Sequence, residues 1–395
     1  MGHRILIIDI PSSGHVFPKL ALVEELVGSG NQVTYVTVDE FSERVEARGA
    51  TVLNYESVKP LERLDAGHRD VPPVVFLEEN AAMLKAIREY FGERRPDLIA
   101  YDEAAFQAGR VLADIWELPA VQLMPSVASN EHFSYFDKML EITGGGFEIA
   151  DPVDEVTDFL AEYGLAAKVD EFLWSKRGPE EFNIVFVPRQ FQNAQETFDE
   201  RFVFVGPSLG DRSFLGDWKV PKSNFPIILV SLGTVNNKHV DFFRTAIEVF
   251  AEQPLYGVIS IGTRVDPAAL GPLPSNVEIH RWVSHLSVLE HASAFVTHGG
   301  TGSVSEALYS GTPMVVVPQG IDVLPYAERV VELGVGKVVN QEEVNVERLR
   351  AAVVEVAHDE GIRMRTLQLQ QHTRESGGAR RAANEIVAYL NRVTS

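Results

Sequence analysis

The sequence predicts an α/β protein built from two parallel-sheet domains. Short apolar runs alternate with amphipathic helical segments along most of the 395 residues. The alternation stops across a stretch at 208–226 rich in Gly, Pro, Asp and Lys, and then restarts with the same rhythm. Runs that are apolar throughout suit strands covered on both faces, as parallel strands are. A chain of this length can fill two such cores.

In order, residues 4–10 (RILIIDI) form the first strand, followed by a polar turn and the amphipathic segment 17–29. NQVTYVTV (31–38), ATVLNYES (50–57), DLIAYD (97–102) and AVQLMP (120–125) continue the strand series, with a helix at 104–116. Residues 140–180 break the rhythm: GGGFEIADPVDEV reads as a mobile connection, and helices packed near the site follow it. NIVFVP (183–188) and FVFVGP (202–207) close a first domain, 1–207, and 208–226 is the linker. The second domain, 227–377, carries strands at 227–233, 256–262, 277–283, 294–300 and 314–320, with helices at 239–251, 303–310 and 324–333. A last helix, 378–395, is expected to return to the first domain. Two Rossmann-like units of this kind leave a cleft at the C-terminal ends of their strands, where open α/β sheets bind ligands.

Composition narrows the partners. Hydrophobic residues make up 45% and charged residues 23%, the balance of an ordinary globular protein. No apolar run approaches the roughly 20 residues of a membrane span, and the N-terminus enters a strand with no signal-peptide cleavage region, so a cytoplasmic location is expected. The absence of cysteine excludes disulfides and thiolate chemistry. A net charge of −21 argues against nucleic acid and anionic membranes. It also means that any bound phosphate must be held locally by backbone N–H groups, a helix N-terminus and histidine.

The stretch WVSHLSVLEHASAFVTHGGTGSVSEALYSGTPMVVVPQGID, Trp282 to Asp322, concentrates the chemistry. Trp282 at a strand end offers a flat face to a nucleobase, worth about 1–3 kcal/mol when stacked; its alternative is a core aromatic. His298–Gly299–Gly300–Thr301–Gly302–Ser303 lies between a strand and a helix, where glycines admit a phosphate and first-turn amides point at it. Ser303 caps that helix or donates to a phosphate oxygen. Glu306, one turn in, sits where a carboxylate accepts from ribose hydroxyls, or serves the helix dipole. SLGT (231–234) closes another strand, with Gly233 and Thr234 as further phosphate candidates.

Together, Trp282, Leu289, His291, His298, Gly300, Ser303, Glu306, Gly311, Pro313, Pro318 and Asp322 resemble the nucleotide-sugar signature of inverting, family 1 glycosyltransferases of the GT-B fold. The opening SSGHVFPKLALVEELVGSGNQVTYVT and the block IVFVPRQFQNAQETFDERFVFVGPSLGDR resemble the bacterial macrolide-type subgroup. The resemblance implies that Trp282 stacks on the base and that the Val283 backbone reads its edge. His298, Gly300, Gly302, Ser303 and Thr234 would meet the pyrophosphate, Glu306 the ribose and Asp322 the sugar hydroxyls. Three residues depart from the pattern: His285 stands where Gln is usual, Val323 replaces the Gln that follows the sugar-binding Asp, and Phe17 replaces Asn. Losing that amide removes a partner for a sugar hydroxyl, so a deoxysugar donor stays open beside UDP-glucose.

His15, in SSGHVFP, joins the first strand to the first helix, and histidine titrates in the range a general base needs. The resemblance makes His15 the base and Asp102 its partner, which would fix the tautomer and stabilise the imidazolium. Asp102 also fits as a cap for the helix beginning near Ala104. Phe17, Phe76, Phe106, Met124, Phe133, Tyr135 and Phe136 are the candidates for an apolar acceptor wall, suiting a macrolide, polyketide or phenolic acceptor. No carboxylate pair shows metal-ligand spacing. The expectation is therefore a metal- and cofactor-free hexosyltransferase, monomeric or homodimeric, with a nucleotide-sugar as co-substrate. A nicotinamide-dependent oxidoreductase would need GxGxxG after the first strand, where PSSGHVFP stands. A silent sugar-binding homologue would have no use for both His15 and Asp102.

Overall fold

A computed structural model describes residues 2–65, 72–145, 150–210, 218–233 and 238–395. The chain divides into two compact units: Met1–Gly210 with Ser376–Ser395, and Asp211–Glu375. Part of the expected linker, 211–217, and part of the expected mobile connection, 146–149, lie outside the described residues.

The first unit runs β1 (Arg4–Ile8), α1 (Ser13–Gly28), β2 (Gln32–Thr37), α2 (Asp39–Glu46), β3 (Thr51–Asn54), α3 (Pro60–Asp65), α4 (Pro72–Phe91) and β4 (Leu98–Asp102). It continues with α5 (Phe106–Trp116), β5 (Ala120–Met124), α6 (Tyr135–Ile142), α7 (Val153–Ala161), β6 (Asn183–Val185) and β7 (Phe202–Phe204). The strands are parallel in the order β3-β2-β1-β4-β5-β6-β7. Side chains of β1 explain why its run is apolar throughout. Ile5 and Ile7 enter the core under α1, while Leu6 and Ile8 enter the opposite core with Leu84 and Ile87 of α4 and Val111 of α5.

The second unit runs β8 (Ile227–Ser231), α8 (Val240–Phe250), β9 (Tyr256–Ser260), β10 (Val277–His280), α9 (His285–Leu289), β11 (Ala292–Thr297) and α10 (Thr301–Ser310). Then come β12 (Met314–Val316), α11 (Leu324–Glu332), β13 (Gly336–Val338), α12 (Val346–His358) and α13 (Glu360–Glu375). Its strands are also parallel, ordered β10-β9-β8-β11-β12-β13. The last helix, α14 (Gly378–Val393), packs on the first unit, with Ile386 and Leu390 in the α1 core and Tyr389 stacked on Phe182 at 4.6 Å between ring centroids.

Each sheet reverses its winding once, between β1 and β4 and between β8 and β11. The loops leaving two strands that wind in opposite directions diverge, so each sheet has a crevice at that point. No helix among the described residues is long and apolar enough to cross a membrane.

Candidate active site

His15 and Asp102 flank the switch point of the first sheet. The sequence places His15 on a connecting turn; the structure instead puts it in the first turn of α1, which begins four residues earlier than the expected 17. Pro18 lacks the N–H that would bond to Gly14, but Gly14 is exposed and its carbonyl can turn to water, so the helix tolerates the proline. His15 Nδ1 lies 3.0 and 2.9 Å from the two Asp102 oxygens. Asp102 ends β4, and its Oδ1 also accepts from Ala104 N at 2.8 Å, so one carboxylate both caps the following turn and faces the imidazole. With Nδ1–H donating to Asp102, Nε2 is the ring's acceptor. The imidazole is packed closely by protein yet keeps 27% of its side-chain surface open, enough for an acceptor hydroxyl to reach it.

Two residues that sequence reading missed complete the cluster. Lys19, one turn after His15, is fully buried, and Nζ donates to Asp102 Oδ2 at 2.5 Å, to the His15 carbonyl at 2.9 Å and to Asp9 Oδ1 at 3.1 Å. Asp9, just past β1, is also fully buried and accepts from the Tyr35 hydroxyl. The sequence suggests no carboxylate pair, but the fold brings ligand-capable atoms of Asp9, His15 and Asp102 within 4.8 Å of one another, with the Lys19 ammonium bridging the two carboxylates. A lysine on the apolar face of α1, among Val16, Leu20 and Val23, is the sequence signal for this arrangement.

The electrostatics follow from burial against pairing. Desolvation pushes the His15 pKa down, but the charge and hydrogen bond of Asp102 outweigh it, and the net shift is upward. Burial pushes Asp102 up; His15 and Lys19 together overcome that and hold it well below the usual carboxylate range. Asp9 is raised to about 6, chiefly by desolvation, with Lys19 opposing.

The acceptor-wall candidates separate by burial. Phe106 is wholly buried, with Trp174 edge-on at 5.3 Å, and a side chain without accessible surface cannot line an open wall; Met124 is buried but keeps 5% of its surface open. Phe17 packs edge-to-face on Phe41 at 6.3 Å, and Phe76 sits against Trp174 at 5.4 Å. Phe133, Tyr135 and Phe136 are only partly buried, and α6 has no buried residue at all, leaving an accessible aromatic surface there.

At the switch point of the second sheet, the His298 ring is held between two glycines. A Cβ on Gly233 would lie 2.5 Å from its Cε1, and one on Gly300 would lie 2.3 Å from its Nε2. His298 is desolvated, with His285 adding repulsion, and its pKa falls to about 4, so the ring is neutral at pH 7. Gly300 is the N-cap of α10 with no side-chain cap, so Ser303 does not cap the helix; it is the third helical residue and is 8% exposed. A Cβ on Gly302 would meet nothing within 4 Å, so space is open before this uncapped N-terminus. Trp282 follows β10 with 43% of its surface exposed, while Val283 beside it is buried. An exposed indole presents a stacking face, so the core-aromatic alternative does not hold. Glu306 is buried with Oε2 3.1 Å from His285 Nδ1. Asp322 has an accessible side chain, although enough protein surrounds it for desolvation to raise its pKa. Val323 is buried, its Cβ near Gly299. Thr234 lies outside the described residues.

The family profile described as "Erythromycin biosynthesis protein CIII-like, C-terminal domain" matches residues 258–391. The NDP-glycosyltransferase YjiC of Bacillus subtilis (strain 168) is 37% identical over 394 residues, covering 99% of this chain and 98% of the relative. The chain belongs to the family 1, GT-B glycosyltransferases of the macrolide and antibiotic type. Demethyllactenocin mycarosyltransferase of Streptomyces fradiae is 32% identical over 99% of this chain and 87% of its own length. Among solved structures, the calicheamicin glycosyltransferase CalG4 superposes with a TM-score of 0.90 at 40% identity, covering 100% of both chains. This enzyme is thus a glycosyltransferase of the macrolide and natural-product type, with a nucleotide-sugar as donor.

Proposed function

We propose that this glycosyltransferase moves a hexose, glucose from UDP-glucose being the first choice, onto a hydroxyl of an apolar small molecule with inversion at the anomeric carbon. The observation that carries the mechanism is the partly open His15 ring with Nδ1 committed to Asp102. His15 Nε2 takes the proton of the acceptor hydroxyl as its oxygen bonds to the anomeric carbon. The anomeric C–O bond breaks, its electron pair leaves with the nucleotide diphosphate, and an α-linked donor gives a β-glycoside. Asp102 stabilises the imidazolium formed. The departing charge is met by the α10 N-terminus and His298, with Thr234 as a further donor. No resident cofactor or metal takes part in this scheme. Trp282 and Val283 receive the base, Glu306 the ribose and Asp322 the sugar, while Phe133, Tyr135 and Phe136 supply the apolar acceptor surface.

A second reading, a dTDP-linked deoxysugar donor, is favoured by Val323, which leaves no amide beside Asp322. The deciding experiment is mass spectrometry of products from a matrix of UDP-hexose and dTDP-deoxysugar donors against macrolide, polyketide and phenolic acceptors. Strict use of UDP-glucose rejects the second reading, and product from no pair rejects both. With the best pair and a weakly acidic acceptor, His15→Ala lowers turnover at least about a hundredfold, the scale of a lost general base. Near-wild-type turnover would remove His15 from that role.

A further inference from the structure

We propose that Lys19 is a positioning residue that, held by Asp9, fixes Asp102 against His15 and sets how strongly the imidazole takes a proton. The inference rests on His15 being the base. A lysine with no accessible side-chain surface is costly unless its charge is matched, and apolar replacement of a buried ion pair is often neutral or stabilising. All three of its donor positions are used here: Asp102, Asp9 and the His15 carbonyl. Asp102 is thereby held from three elements at once, by His15 and Lys19 of α1, by the Ala104 amide beyond β4, and through Lys19 by Asp9 at the end of β1. The carboxylate cannot rotate away from the imidazole without breaking the ammonium contact as well.

The arrangement also balances charge across the reaction. With His15 neutral, Asp9, Asp102 and Lys19 leave one net negative charge; with the proton on His15, the cluster is neutral. Lys19 opposes protonation of His15, and Asp9 favours it. Among the described residues, the other ionisable groups whose charge acts on this cluster are Tyr35 from β2, Tyr55 after β3, Glu103 after β4, and Arg177, which faces Glu103 and Asp102. Tyr35 donates to Asp9, but it stays neutral over the titrated range, so replacing Asp9 changes its partner and not its charge. The two outer residues should therefore move the His15 titration in opposite directions, which a packing role would not do.

The test is an NMR titration of the His15 ring in the full-length protein labelled with carbon-13 in histidine, with the signal assigned by its loss in His15→Gln. Lys19→Met is expected to raise the midpoint by about one pH unit or more and Asp9→Asn to lower it by a similar amount, the scale of a neighbouring charge. Turnover of UDP-glucose with a macrolide that carries only aliphatic hydroxyls, used as probes because such hydroxyls do not ionise there, is followed over the same pH range. Opposite shifts in the ring support the inference; if the acid limb of turnover does not follow them, the positioning role stands and the base assignment falls. Folded variants whose His15 midpoints stay at the wild-type value overturn the proposal. Should Lys19→Met fail to fold, Asp9→Asn alone decides, because an unmoved midpoint there overturns it equally.

Discussion

At the scale of single residues, His298 shows how burial converts an ordinary side chain into a fixed tool. Its buried Nδ1 has no hydrogen-bond partner among the described residues, and its pKa near 4 keeps the ring neutral. Histidine in the unfolded chain titrates near 6.5, so the folded-state pKa is depressed. Between pH 6.5 and 4 the unfolded chain binds the extra proton. Stability is therefore intact above about pH 6.5 and declines as pH falls toward 4. A fully buried ring would lose about 3 kcal/mol over that window, and partial accessibility reduces this to about 1–2 kcal/mol. Asp9 changes in the opposite sense, since a raised carboxyl favours the folded state as pH falls through 6, so the comparison must isolate His298. Denaturant unfolding of the wild type and His298→Asn at pH 7 and pH 4.5 does this. The wild type should lose about 1–2 kcal/mol more than the variant on acidification. Equal losses would mean that the ring is not held neutral by the fold.

At the scale of elements, the turn from β11 into α10 depends on two glycines for different reasons. Gly299 has φ +89°, a conformation that side-chain-bearing residues rarely adopt, while Gly300 has ordinary extended geometry and is small because His298 occupies the adjacent space. Gly300→Ala should leave the sheet intact but displace His298, weakening UDP binding at least about tenfold at a stability cost of about 1–3 kcal/mol. Calorimetric titration with UDP alongside thermal melts checks it, and unchanged affinity would show that the ring tolerates displacement. The sequence makes this turn legible, because glycines, a histidine and an apolar strand run occur at contiguous positions. The strands β1, β2, β4, β5, β8 and β11 are legible for the same local reason. Helices α4, α12 and α13 are not: α13 buries only Ile362, Thr366, Leu369 and Thr373, a stripe too sparse to stand out from its polar residues. Lys19 and Asp9 stay hidden for a different reason. Lys19 meets Asp102 across 83 positions and Asp9 joins through Lys19, and no local spacing encodes the contact with Asp102. Phe106 is misread because an aromatic beside a site and an aromatic beneath it look alike in sequence.

At the scale of the whole molecule, the chain does not simply finish one unit and then the other. After α13 it leaves the second unit, and α14 enters the core of the first beside α1. Ala382, Ala383, Ile386, Tyr389 and Leu390 all lie in the cluster that holds Val16, Leu20 and Val23 on the face of α1 carrying Lys19. Burial of the isoleucine, tyrosine and leucine contributes roughly 1.5–3 kcal/mol each. Their sum is on the order of the 5–15 kcal/mol that stabilises a typical domain. A chain ending at Glu375 should therefore lose the first unit while keeping the fold of the second. In hydrogen exchange, the amides of β1 and β2 should lose protection and those of β8 and β11 should keep it. The His15 signal of the NMR titration should move to the position of an unfolded histidine. Protection of β1 retained without α14 would show that the first unit closes its core without the last helix.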